Sequence, residues 1–116
     1  MQVIGLHTRL RPGLEETYER IHARLSPEHE QALRDSGVHS WHIWRDGLDL
    51  FHTIVCADWA GMEEAMGRLE LTHRWHDVIH PMLDLAVSQR GPLPLVWKLP
   101  EHTAATPADD RTGEAA

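Results

Sequence analysis

The chain has 116 residues, which is enough for one domain with a single modest core. Its net charge of −7 argues against a nucleic-acid-binding protein, because such proteins present a basic face. No apolar run is long enough for a membrane-spanning helix, and the first residues lack the basic segment and cleavage site of a secretion signal.

The first half of the chain predicts a strand followed by two nearly continuous helices. Residues Val3–Leu10 read as a strand that ends at a Pro-Gly turn. Apolar residues then recur at helical spacing from Gly13 to Leu25. Ser26 suits an N-cap position and Pro27 the first helical position, so a second helix is expected to begin here and to end before Gly37.

The second half predicts a hairpin, two more helices and a closing strand. Residues His39–Arg45 and Asp49–Ala57 read as strands around an Asp-Gly turn, which is typical of a β-hairpin. Residues Gly61–Leu69 form a helical run, and Thr72 is expected to cap a further helix. Residues Leu95–Leu99 are predicted to form the last strand.

The order β-α-α-β-β-α-α-β predicts an α+β fold with a ferredoxin-like antiparallel sheet and helices on one face. Residues 1–100 are expected to form this one domain, and residues 101–116 a disordered tail because no large apolar residue follows Leu99. Trp41 and Trp44 fall on opposite sides of their strand. We therefore expect the second face of the sheet to be covered too, by face-to-face dimerisation.

Tyr18 and His22 are the leading candidates for a functional site. Four residues is just over one helical turn, so both side chains project from one face of the predicted helix. A phenol and an imidazole side by side can exchange protons with a small hydroxylated ligand, and the indole of Trp75 can supply an apolar plate for a sugar ring. The plain alternative is that both are ordinary helix residues at the edge of the core.

Three histidines, His73, His76 and His80, share one helix face if that helix is unbroken. Such a stripe can attract a divalent metal ion. Nearly two turns separate the first from the last, which is too far for three ligands on one ion. We therefore expect structural or pocket roles and no metal.

The remaining residues of note are expected to be structural. Cys56 alternates with apolar neighbours and should be a small buried residue; as the only cysteine, it also favours a reducing cytoplasm. Trp44, Trp59 and Trp97 are expected in the core or a dimer interface. His39 is predicted to share a strand face with the indole two residues on, which makes it a second-rank pocket candidate.

Several segments fall, in order and with almost no shift in spacing, where a known family has its own. They are Tyr18-Glu19-Arg20-Ile21-His22, Ser26-Pro27-Glu28, Gly37, His39, Trp41-His42-Ile43-Trp44, Phe51, Arg74-Trp75-His76 and Val96-Trp97-Lys98-Leu99. Over roughly residues 1 to 99 the chain resembles the L-rhamnose mutarotase family. The resemblance implies a dimeric α+β barrel and cofactor-free interconversion of the α and β anomers of a 6-deoxy sugar.

The resemblance also implies roles for individual residues. The acid/base histidine of the family falls on His22, which is therefore the expected catalytic residue. The sugar-binding positions of the family fall on Tyr18, Trp41, Trp75 and His76. His76 could instead serve as a second acid/base.

Three positions depart from the family pattern. Ser26 stands where the family commonly has a tryptophan, Trp41 where it usually has a tyrosine, and His76 where it has a second tryptophan. The last two changes alter the expected pocket wall. The sugar therefore stays open between L-rhamnose, L-fucose and a less familiar substrate.

Two other classes of function are compatible with the predicted fold. Small ferredoxin-like dimers also host cofactor-independent monooxygenases, and a protein of this size can be a non-catalytic sugar-binding module. A monooxygenase would need an apolar pocket, whereas a binding module would bind a sugar without changing any rate. The expected partners are a monosaccharide and a second copy of the chain, without nucleic acid or membrane.

Overall fold

The helices and strands follow the predicted order as far as residue 82. The computed structural model describes residues 1–88 and 91–101. In chain order the elements are β1 (Gln2–Arg9), α1 (Glu15–Ala23), α2 (Pro27–Asp35), β2 (Val38–Asp46), β3 (Asp49–Cys56), α3 (Trp59–Gly67), α4 (Glu70–Ile79) and a 3₁₀ turn (His80–Met82). Across these described residues we find no helix of the length and hydropathy that a bilayer crossing requires.

The sheet is antiparallel, with β3 in the centre between β1 and β2. The predicted hairpin is confirmed, because β2 and β3 pair down to Asp46 opposite Asp49 around a two-residue loop. Gly47 occupies the left-handed region with φ of 63°, which a residue without Cβ adopts at little cost. The α+β, ferredoxin-like architecture expected from the order of elements is the one observed.

Local signals correctly mark both ends of α2. The Ser26 hydroxyl accepts a hydrogen bond from the backbone N–H of His29 at 3.1 Å, as an N-cap side chain should. Pro27 occupies the first turn, where a missing N–H is harmless. Gly37 follows the helix with φ of 99°, so it ends the helix and turns the chain into β2.

The predicted starts of the last two helices are wrong, by two residues for α3 and by three for α4. Helix α3 begins at Trp59 rather than Gly61. Asp58 takes the N-cap position in an extended conformation, and its side chain makes no capping hydrogen bond. Helix α4 begins at Glu70, so Thr72 lies inside its first turn and does not cap it. Thr72 is buried, and burying this helix face outweighs the capping preference of a threonine.

The predicted last strand, Leu95–Leu99, is also wrong, since these residues join no strand of the sheet. The outer edge of β1 is already used at two points. Leu93 donates its N–H to the Gly5 carbonyl at 2.8 Å, and Leu83 bridges Leu10 near the other end. The chain beyond Leu93 pairs with neither edge strand of the sheet, and Val96 is 95% exposed. The predicted tail, residues 101–116, lies outside the described residues apart from Glu101.

The helices pack on one face of the sheet in two apolar clusters. The first joins the ends of β1 and β3 to α1 and α4 through Leu10, Tyr18, Leu50, Ile79 and Leu83. The second joins β2 and β3 to α3 through Val38, Ile54, Cys56, Met62 and Met66. Cys56 is fully buried, which confirms its prediction as a small core residue.

The opposite face of the sheet carries aromatic side chains that are open to solvent. Phe51 on β3 and its neighbour Trp44 on β2 are 44% and 55% exposed. His42 stacks on Trp44 with ring centroids 5.6 Å apart, and His7 lies 5.3 Å from Phe51 on the other side. The two-sided pattern predicted for β2 is therefore observed, with Trp41 turned to the helices and Trp44 away from them.

Candidate active site

A cavity of about 600 Å³ lies between the helices and the inner face of the sheet. Its wall includes residues of both apolar clusters together with polar side chains from the strands and from α1, α2 and α4. The five residues at the catalytic and sugar-binding positions of the predicted site all border this cavity: Tyr18, His22, Trp41, Trp75 and His76. Helices and strands that are distant in sequence thus bring these side chains together.

His22 is held in one tautomer by the backbone of its own helix. Its Nδ1 atom lies 3.0 Å from the carbonyl oxygen of Tyr18, one turn earlier. A carbonyl can only accept a hydrogen bond, so Nδ1 carries the proton and the neutral ring keeps its lone pair on Nε2. Burial lowers the pKa of His22, and this outweighs the opposite effect of the hydrogen bond. His22 is therefore a neutral base at physiological pH.

Tyr18 lies beside this imidazole as a buried, protonated phenol. The two ring centroids are 4.1 Å apart, and only 5% of Tyr18 is exposed. Burial raises the pKa of the Tyr18 hydroxyl above its usual range, because the phenolate would lose its solvation. The hydroxyl therefore keeps its proton and can donate it to a ligand oxygen.

Trp75 projects from α4 between two imidazoles. Its ring meets His22 edge-on at 5.0 Å and 80°, and meets His29 of α2 at 5.0 Å and 88°. Burial lowers the pKa of His29, and a positive charge on His22 would lower it further. The indole is thus fixed in orientation by rings on both sides, and it offers a rigid apolar surface next to a base.

His76 and His80 form a stacked pair one turn apart on the same side of the cavity. Their ring centroids are 4.4 Å apart and the planes differ by 15°. Burial lowers the pKa of His76, and its neighbours His80 and His73 add to this because two positive rings would repel each other. His73 turns away to the Gly67 carbonyl at 3.0 Å, so the three-histidine stripe does not converge. Within residues 1–88 and 91–101 no group of three suitable side chains is arranged to hold a metal ion.

The sheet contributes three linked side chains to the floor of the cavity. Trp41 donates its indole N–H to Nδ1 of His52 at 3.2 Å, and Nε2 of His52 lies 3.1 Å from the Thr8 hydroxyl. His52 is buried, and burial lowers its pKa to about 4, with further contributions from His22 and His7. His52 therefore stays neutral across the physiological range.

The cavity as a whole suits a neutral, hydroxylated ligand. Among the described residues that line it are five histidines and one carboxylate, Glu63, but no lysine or arginine. Neutral imidazoles can both donate and accept hydrogen bonds, so the site can move protons between ligand oxygens without a strong fixed charge. Trp59, Met62 and Met66 supply apolar wall that a methyl group or the C–H face of a ring can contact.

The family model for L-rhamnose mutarotase matches residues 3–104, which is most of the chain. The chain belongs to the L-rhamnose mutarotase family. Mutarotases interconvert anomers and are therefore isomerases, which confirms both the resemblance and the enzyme class predicted from the sequence.

Several curated members of this family are similar to the chain. An L-rhamnose mutarotase of Paraburkholderia xenovorans is 31% identical over 88 residues, covering 74% of this chain and 81% of the relative. An L-rhamnose mutarotase of Phocaeicola vulgatus is 32% identical over 94 residues, covering 79% and 86%. Both alignments include most of each protein, so the similarity extends across the fold rather than over one motif.

Two solved structures share the fold. An L-rhamnose mutarotase from Formosa agariphila superposes with a TM-score of 0.70 at 21% identity, covering 86% of this chain and all of that one. Tetracenomycin F2 cyclase from Streptomyces glaucescens, a polyketide cyclase, superposes with a TM-score of 0.58 at 16% identity over the same shares. At these identities the likeness supports the fold, and it shows that the fold also serves other chemistry.

Several polar residues of the cavity of this mutarotase family member are not predicted from the sequence. They include Thr8, His29 and His52. His52 does carry a signal, because it stands between Leu50 and Ile54 at the two-residue period of a buried strand face, where a polar residue needs a reason. The others become visible only when the helices are packed.

One prediction about the pocket is wrong. His39 is exposed and does not border the cavity, because the pairing of β2 with β3 shifts between Val38 and Ser40 and His39 lies in the bulge. Trp59, predicted as core or interface rather than as a ligand contact, does pack against the second apolar cluster. It also borders the cavity, with its ring 6.2 Å from that of Trp41. Trp97 is 70% exposed in this chain.

Proposed function

We propose that this protein interconverts the α and β anomers of L-rhamnose, with His22 as the acid/base. Membership of the L-rhamnose mutarotase family supports the reaction. The observation that carries the residue assignment is the tautomer of His22. Its Nδ1–H is engaged by the Tyr18 carbonyl, so the basic Nε2 is the atom left for a ligand in the cavity.

The reaction needs only a proton carried between two neighbouring oxygens of the sugar. Neutral His22 accepts the proton of the anomeric hydroxyl on Nε2, and a C1–O1 double bond forms as the bond from C1 to the ring oxygen breaks. The resulting imidazolium returns the proton to the ring oxygen, which becomes a hydroxyl. Rotation about C1–C2 followed by the reverse steps closes the ring on the other carbonyl face. No electrons are gained or lost, and no cofactor is consumed.

The other residues of the site are proposed to bind and orient the sugar. The Tyr18 hydroxyl donates a hydrogen bond, and Trp75 contacts the apolar C–H face of the ring beside His22. Trp41 packs against the ring or the C6 methyl, with its N–H already engaged by His52. His76 bonds a sugar hydroxyl or takes one of the two proton transfers.

The first prediction concerns the substrate. The purified protein is expected to accelerate exchange between the anomers of L-rhamnose, measured by exchange NMR on the equilibrated sugar. L-fucose is the second candidate, because the tryptophan at position 41 and the histidine at position 76 depart from the family pattern at two wall positions. Faster exchange with L-fucose than with L-rhamnose would overturn the first choice, and no acceleration of either sugar would overturn the proposed function.

We also propose that a second copy of the chain covers the open face of the sheet. The support is its exposed aromatic surface, where Trp44 and Phe51 are 55% and 44% accessible in the single chain. Single apolar residues are common on surfaces, but neighbouring aromatic side chains on one sheet face are typical of an interface. The exposed segment Leu95–Leu99 offers further apolar surface to the same partner.

The second prediction tests this dimer. Trp44→Glu places a charge in the proposed interface and is expected to shift the protein from dimer to monomer in sedimentation-velocity experiments at micromolar concentration. Val78→Glu is the matched control, because Val78 on α4 is 45% exposed but lies away from that sheet face. A native protein that sediments as a monomer, or a Trp44→Glu variant that stays dimeric, would contradict the proposal.

We propose a cytoplasmic location because the thiol of Cys56 is buried and unpaired. This thiol is fully buried and unpaired in the described chain. Burial raises its pKa, which keeps it protonated and unreactive. A chain with no other cysteine gains nothing from an oxidising compartment.

A further inference from the structure

The floor of the cavity holds a chain of hydrogen bonds that crosses all three strands. Trp41 on β2, His52 on β3 and Thr8 on β1 are joined by contacts of 3.2 and 3.1 Å. All three residues border the cavity. Neither contact depends on a charged group, so the direction of each hydrogen bond follows from the donors and acceptors alone.

The direction is set at Trp41. An indole N–H has no lone pair to accept with, so it can only donate, and Nδ1 of His52 must therefore be the unprotonated nitrogen. A neutral imidazole carries its single proton on the other nitrogen. Nε2–H of His52 consequently donates to the Thr8 hydroxyl oxygen.

The hydroxyl of Thr8, at the end of this series of hydrogen bonds, can still donate a hydrogen bond. Thr8 Oγ1 uses one lone pair to accept from His52, and its own O–H has no acceptor among the described residues. Because Thr8 borders the cavity, the nearest place for that acceptor is a ligand. Burial keeps His52 neutral, so this arrangement is not reversed by protonation near neutral pH.

We propose that Thr8 is a binding residue whose hydroxyl proton is directed at a sugar oxygen by Trp41 and His52. The site requires an oxygen lone pair at that point of the ligand, on a hydroxyl or on the ring oxygen. A sugar that lacks the oxygen would leave the Thr8 hydroxyl without this hydrogen bond to the ligand. His52 touches no substrate in this scheme and is a positioning residue. The inference deepens the proposed function and rests on it.

The test compares two substitutions at one position. Thr8→Val removes the hydroxyl at nearly constant shape, and Thr8→Ser keeps it. Thr8→Val is expected to raise KM for L-rhamnose about 10-fold while kcat changes less than about 3-fold, since one hydrogen bond to the ligand is lost and His22 is untouched. Thr8→Ser is expected to stay within about 3-fold of the native KM. Equal KM in native protein and Thr8→Val, or a loss in kcat alone, would overturn the proposal.

A second measurement needs no substrate and no substitution at Thr8. In ¹⁵N NMR of the native protein, His52 is expected as the neutral tautomer with its proton on Nε2. Trp41→Phe, which removes the donor, is expected to allow the opposite tautomer. Protonation of His52 on Nδ1 in the native protein would overturn the proposal. This result does not depend on whether the Thr8→Val variant folds. Failure of the proposed function would give a different result. The native protein would not accelerate sugar exchange, while the His52 tautomer would still be the expected one.

Discussion

Replacing His22 with alanine is expected to slow anomer exchange of L-rhamnose by roughly 10²- to 10⁴-fold, the usual contribution of a general acid/base. The Nε2 of this imidazole is basic and open to a ligand, because the backbone of its own helix fixes the other nitrogen as a donor. Exchange NMR over a range of sugar concentrations measures the effect. The loss should fall mainly on kcat, since the interaction lost is one made in the transition state.

The matched control for this change is His39→Ala. His39 is an exposed histidine on β2 that does not border the cavity, so the rate should be unchanged. Retention of full activity in His22→Ala would move the acid/base role to His76 or another group. A native protein that binds the sugar but accelerates nothing would instead indicate a binding module, and oxygen uptake with a quinol would indicate a monooxygenase.

The second large effect concerns stability at acid pH. Burial holds the pKa of His52 at about 4 in the folded chain, against an ordinary value of 6.5. Below pH 6.5 the unfolded chain binds a proton that the folded chain does not, so the free energy of unfolding decreases as the pH falls from 6.5 towards 4. The expected decrease in the free energy of unfolding from His52 is on the order of 3 kcal/mol between pH 6.5 and 4. Above pH 6.5 this residue adds no pH dependence to the stability.

The measurement is chemical denaturation of native protein and His52→Gln at several pH values between 7 and 4. The absolute stability of the variant is not the readout, because the substitution also disturbs the hydrogen bonds to Trp41 and Thr8. The readout is the slope against pH, which should be shallower in His52→Gln. The lowered pKa values of His22, His29 and His76 act in the same direction in both proteins and cancel in the comparison. Equal pH slopes of the free energy of unfolding in the two proteins would show that the pKa of His52 is not lowered in the folded state.

Features set by neighbouring residues could be predicted from the sequence. The start of α2 depends on one hydroxyl and one backbone N–H three residues apart, and its end depends on a glycine. The hairpin depends on a turn of two residues. Tyr18 and His22 share a helix face by spacing alone, and the structure keeps their rings within 4.1 Å.

Features set by distant packing could not be predicted in the same way. One extra residue in β2 moves His39 out of the cavity, and no residue type marks that bulge in advance. Leu95–Leu99 have the composition of a strand but pair with no strand, and the outer edge of β1 is already bonded near Gly5 and Leu10. His52 acquires its role only when the three strands align its ring between an indole and a hydroxyl.

The bond from His22 to the carbonyl of Tyr18 has a consequence for how such an enzyme can change over time. The backbone, rather than any side chain, determines which nitrogen of His22 stays unprotonated. Tyr18 can therefore be replaced by another residue without changing the tautomer of His22, provided that the helix still forms. Sugar selectivity can therefore change at position 18 while the proposed acid/base nitrogen of His22 stays the same.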